Sequence, residues 1–199
     1  MMIHSDLWNR LAAEESADVA RRARVRSKED GSYELEVLNE IYRIDVHARS
    51  ILRIHPPIPA KPDLHCGLAA VSYLIAAKDV DLVGEWVSPR EFPGGVAFFR
   101  GPHAIPVDKI VERFGNSKRD FEIACQRLGG HREQYADAAY SFTLFPRLPV
   151  AVLLWLQNEE FSARATMLVD RTANQHFPLD ALLAALHGMQ NSVVAAAPD

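Results

Sequence analysis

Along the chain, hydrophobic and polar positions follow a helical period in some stretches and a two-residue alternation in others, and the two kinds of stretch are segregated. From Ser5 to about Arg26, Leu7, Trp8 and Leu11 form a short apolar stripe. Acidic residues precede the basic end "RRARVRSK", an order that suits the helix dipole, so one helix capped by Ser5 is expected. "KEDGS" interrupts it. "YELEVLNEIYRIDV" then alternates as a hairpin, with the turn expected at Asn39-Glu40. The stiff "HPPIPAKP", His55 to Pro62, can be neither helix interior nor central strand.

"LHCGLAAVSYLIAAK" is apolar around nearly its whole circumference, which predicts a buried helix capped by Asp63. "PVDKIVERFG" and "SKRDFEIACQRLGG" read as two shorter helices ending in glycine. In "YSFTLF", Tyr140, Phe142 and Leu144 alternate with Ser141 and Thr143. "VAVLLWL" is apolar throughout, so it should be a central strand covered on both faces. "FSARATMLVD" alternates again, and "PLDALLAALHGM" is a last helix before a tail expected to be loose from residue 190. Segregated strands and helices predict an α+β class: a mainly antiparallel sheet with helices packed against it, in a single domain over 1–189, the first helix being a candidate appendage.

Composition adds limits. The chain has 199 residues, 48% hydrophobic and 24% charged, enough for one sizeable core. A net charge of −4 gives no global attraction to nucleic acid or to an anionic membrane. "LPVAVLLWL" falls well short of the roughly 20 apolar residues of a membrane span. The N-terminus lacks an apolar secretory core, so a cytoplasmic protein is expected.

The candidate chemistry centres on "GEWVSPREFPGG". Pro89 and Pro93 stiffen it, Gly94 and Gly95 allow positive φ or a close approach, and Trp86, Arg90 and Glu91 are thereby held in fixed directions. Arg90 can anchor a carboxylate or phosphate bidentately, and Trp86 can stack. A structured loop whose tryptophan packs on the core is the plainer alternative. Near Trp155, Glu159 and Glu160 form an acidic pair that becomes a general base only if burial raises one pKa; Arg90 or Arg164 would then be its partner. Eight histidines are present, but no metal-binding spacing; His55, His65, His103 and His131 could converge only through the fold. Among the thiols, Cys66 in a first helical turn beside His65 is the better nucleophile candidate, and Cys125 the other.

Taken together, the loop "GEWVSPREFPGG", the helix end "FEIACQRLGG" and the run "FPRLPVAVLLWLQNEEFSARATMLVD" resemble a prokaryotic family known as domain of unknown function 3786. The resemblance spans roughly His65 to Leu186 and implies no settled activity or cofactor. Some relatives are associated with iron–sulfur proteins, but Cys66 and Cys125 alone cannot ligate a cluster, so any such link would run through a partner protein. Three readings follow. The first is a binding or accessory module with a small-ligand site rimmed by the 84–100 loop and the 155–164 hairpin, using Trp86, Arg90, Glu91, Gly94, Gly95, Trp155, Glu159 and Glu160; it expects the two segments to lie together. The second is an enzyme with a Glu159 or Glu160 base and Arg90 as charge stabiliser. The third is a protein-interaction domain, such as a homodimer, using Trp86 and the "VAFF" segment.

Overall fold

A computed structural model describes residues 3–54 and 63–198. The proline-rich connector, with His55, lies outside the described residues.

Where one N-terminal helix was expected there are two, α1 (Ser5–Ala12) and α2 (Ser16–Ala23). The break has a local cause. The Glu15 carboxylate accepts the Ala17 and Asp18 N–H groups and so starts a second helix, while His4, not Ser5, caps the first. Trp8, Leu11, Val19 and Ala23 are buried, which fastens both helices to the body of the protein.

Strands β1 (Arg26–Ser27), β2 (Tyr33–Val37), β3 (Glu40–Asp45) and β4 (Ser50–Arg53) form an antiparallel sheet in that order. The β2–β3 turn is Leu38-Asn39, one residue earlier than expected, because both residues take positive φ, 49° and 62°. That geometry matches the twist of a two-residue hairpin. Burial of Leu38 and the bond from the Asn39 side chain to the Leu128 carbonyl hold an apolar residue in a conformation it otherwise avoids.

Asp63 caps α3 (Leu64–Ala76) as expected. The 77–104 segment contributes the two-residue strand β5 (Trp86–Val87) and the short α4 (Gly95–Phe98). Helices α5 (Asp108–Phe114) and α6 (Lys118–Arg127) follow. A second antiparallel sheet has the order β5-β9-β8-β7-β6, built from β6 (His131–Glu133), β7 (Ala138–Phe145), β8 (Leu148–Trp155) and β9 (Arg164–Asp170). Helix α7 (Leu179–Ala195) runs through most of the stretch expected to be loose. Its end is tied down, since Arg127 donates to the Ala196 and Ala197 carbonyls and Arg113 to that of Pro198.

The fold is thus α+β, with two antiparallel sheets where a single one was expected. β8 is central, as its unbroken apolar run requires. Its two faces differ. Val150, Val152 and Leu154 enter the main core with Tyr140, Phe142, Met167 and Val169, whereas Ala151 and Leu153 belong to a smaller apolar cluster on the opposite face.

Arg147 is buried to 1% exposure at the β7–β8 turn and joins distant parts of the chain. Its guanidinium donates to the Arg22 carbonyl (2.7 Å), the Val80 carbonyl (2.5 Å) and the Asp79 carboxylate (2.6 Å). The Tyr73 hydroxyl donates to the neighbouring Ala23 carbonyl (2.7 Å). These bonds satisfy backbone carbonyls at the end of α2 and hold the 79–81 segment against the core.

Candidate functional site

The loop "GEWVSPREFPGG" is a rigid unit. Residues 89–91 form one turn of 3-10 helix inside a capping box: the Ser88 side chain accepts the Arg90 N–H, and the Glu91 carboxylate accepts the Ser88 N–H. Gly94 has φ +78°, and a Cβ on Gly95 would meet the Arg90 carbonyl oxygen at 2.8 Å. Both glycines are therefore demanded by the chain path. Phe92 and Phe99 insert into the main core, which fixes the loop at each end. Just ahead of it, the Asp170 carboxylate accepts the Val83 and Gly84 N–H groups and both the N–H and hydroxyl of Thr172. Burial opposes its ionisation, but these bonds outweigh burial and hold its pKa below the ordinary carboxylate value.

Trp86 is half-buried and pairs directly with Asp170 across the β5–β9 ladder. Trp155, also half-buried, pairs with Arg164 at the other end of β9. Both tryptophans pack, with Leu168, against Ala139, Ala151 and Leu153. The structure therefore places them on one sheet face, away from the main core. Along β9 the two pairing positions are six residues apart, roughly 20 Å of extended strand. The two segments border one sheet face from opposite ends.

The polar residues divide differently. Arg90 is exposed. Glu91 caps its own loop, with Arg171 3.9 Å away. Arg171 is held in a forked pair by Glu85, at 2.5 and 2.6 Å, so charge rims the Trp86 end of the face. At the Trp155 end the Arg164 guanidinium lies 4.4 Å from the Trp155 ring centroid and stacks there instead of pairing with Glu160. Glu159 and Glu160 are exposed on a turn organised by Asn158, whose side-chain oxygen accepts the Glu160 and Phe161 N–H groups. Phe161, at the tip, is 68% exposed, and Tyr135, in the adjoining β6–β7 loop, 48%.

The nucleophile candidates are quiescent. Burial pushes the Cys66 thiol up to about 12, aided by the Asp63 and Glu40 charges, and Cys125 is also raised by burial. Among the described residues no cluster of three or more metal-ligating side chains forms. His103 stacks on Phe98, and His65 stacks on His187 at 4.9 Å. No helix among the described residues is long and apolar enough to cross a membrane.

Leu153 lies in a strand whose burial on both faces agrees with its unbroken apolar run, and neither it nor Leu168 is marked in the sequence as a neighbour of the tryptophans. Their signal was the short β5: pairing of a two-residue strand to β9 is what carries Trp86 onto the same surface as Trp155.

The arrangement defines an α+β protein with two antiparallel sheets, one of which carries a second apolar cluster on the face away from the main core. The chain belongs to the family described as Domain of unknown function (DUF3786), whose model matches residues 15–191. Searches of curated proteins and of solved structures found no match.

Proposed function

We propose that the protein is an accessory recognition module whose contact surface is the outer face of the five-stranded sheet, and that its partner is another protein. The observation that carries this reading is the second apolar cluster, with two half-buried tryptophans and Leu168 presented away from the main core. An apolar centre with a charged rim, here Glu85, Arg171 and Arg164, is the usual anatomy of a protein contact. Tryptophan and arginine are also the side chains most often energetically dominant in one. The spread of the face, roughly 20 Å between its two ends, favours a protein partner over the enclosed small-ligand site expected from the loop, since small-molecule sites are concave. The exposure of Glu159 and Glu160 fits a solvated turn at the rim better than a general base.

The test is affinity capture from extract of the source cells with wild-type protein, Trp86→Ala and Trp155→Ala, each checked for an unchanged fold by circular dichroism. A specific protein should be enriched by wild type and fall at least tenfold, about 1.4 kcal/mol, with either variant. Equal recovery by all three proteins would remove the sheet face from the account.

A further inference from the structure

A cleft of about 560 Å3 opens on a different part of the molecule, where the first turn of α3, the start of α5 and the middle of α7 meet beside the 101–106 loop. Its walls bring hydrogen-bond donors together. His65 from α3 and His187 from α7 stack with ring centroids 4.9 Å apart and an interplanar angle of 26°. Lys109 lines the same cleft, and its ammonium meets the Asn191 side-chain oxygen at 3.1 Å, a neutral amide and not a carboxylate.

Gln190 is the more informative residue. It is 4% exposed, lines the cleft, and its side-chain oxygen accepts the Lys109 backbone N–H at 3.1 Å. That bond fixes the orientation of the amide, so its nitrogen is the free end. This nitrogen has no hydrogen-bond partner among the described residues. The residue is buried, but this nitrogen is not closed off by the protein, so it is a donor that a ligand in the cleft can use.

We propose that this cleft binds a small oxyanion of the phosphate class, held by the Gln190 amide, the Lys109 ammonium and the imidazoles of His65 and His187. Four donors on three helices suit a tetrahedral anion, which offers oxygens in several directions, better than a planar carboxylate. The surrounding charges have defined roles. On α3, Asp63 is occupied: one oxygen caps the helix through His65 and Cys66, and the other accepts from Asn191 at 3.4 Å. On α5, Asp108 lines the cleft beside Lys109 and opposes an anion. The His187 pKa is lowered, first by burial and then by His65 and Lys109, with Asp63 acting the other way. A bound anion reverses that balance by neutralising the neighbouring positive charge. Binding to the protonated imidazole is therefore coupled to proton uptake by His187.

The experiment follows the imidazole resonances of His65 and His187 by NMR in the full chain, titrating pH in inorganic phosphate and in chloride of matched ionic strength. Phosphate is expected to raise the His187 pKa by about one unit, equivalent to roughly tenfold tighter binding to the protonated form. Lys109→Met, an exposed change that leaves the Gln190 bond to the backbone intact, should remove most of that rise. Gln190→Glu keeps the acceptor but replaces the donor with a negative charge, and should abolish it. Identical titrations in phosphate and chloride, or an undiminished rise in Lys109→Met, would overturn the site. An equal rise in acetate would overturn the phosphate assignment in favour of a general carboxylate site.

Discussion

His176 shows how one residue can set the acid limit of the fold. It is fully buried, its Nδ1 accepts the Lys78 N–H at 3.4 Å, and its Nε2 has no partner. Burial, together with the nearby Arg147, pushes its pKa down to about 4. The unfolded chain protonates near the ordinary 6.5, so between 6.5 and 4 it binds the extra proton and the folded state does not. Stability contributed by neutral His176 is full above that window and is lost as pH falls through it, by up to about 3 kcal/mol. Urea unfolding of wild type and His176→Gln at pH 7.5 and 4.5 should show the gap between them narrowing at the lower pH; a constant gap would refute the assignment. Arg147 is the second residue of this kind. Replacing it with Ala leaves three acceptors without their donor and should cost about 3 kcal/mol or more by the same measurement. Neither role was legible in the sequence, because "FPRLP" and "NQHFP" look like ordinary surface turns. Burial of a charged or titratable turn residue depends on what the rest of the fold lays over it.

Elements were more legible than their ends. The strict alternation of Tyr140, Phe142 and Leu144, the unbroken run of β8 and the cap at Asp63 each encode a local preference that the packing preserved. β1, β4 and β6 went unseen because strands of two to four residues carry too few positions to show a period. The N-terminal helix was drawn too long because Glu15 was read as a helical acid when it is a cap. The "GEWVSPREFPGG" loop was read correctly as rigid, and the structure gives the reason: a capping box and two glycines with separate duties. Gly95→Ala should cost more than the roughly 1 kcal/mol that a glycine-to-alanine change usually returns as a gain, with opposite sign, because its Cβ would collide with the Pro89 and Arg90 carbonyls. Thermal unfolding would show a lower midpoint; a higher one would mean the loop relaxes without penalty. Lengthening the turn at 159–162, by contrast, touches exposed residues and should leave the midpoint within a few degrees.

At the scale of the whole molecule, two surfaces emerge that no single motif announces. Trp86 and Trp155 lie 69 positions apart in the chain, and only the β5-β9-β8 order brings them onto the same sheet face, at its two ends. His65, Lys109 and His187 meet because α3, α5 and α7 converge at one end of the helical layer. The sequence named the tryptophans and His65 but not their company, since convergence is a property of topology and not of spacing. If the outer sheet face recognises a protein, site-specific photo-crosslinking in source cells will capture that protein on it. A photoreactive phenylalanine analogue would be placed at Thr166 or Leu168 on the face, and at Glu36, exposed on the small sheet, as control. A discrete crosslinked species of one partner is expected from Thr166 and Leu168 and none from Glu36. The same products from all three positions, or none from the face, would contradict it.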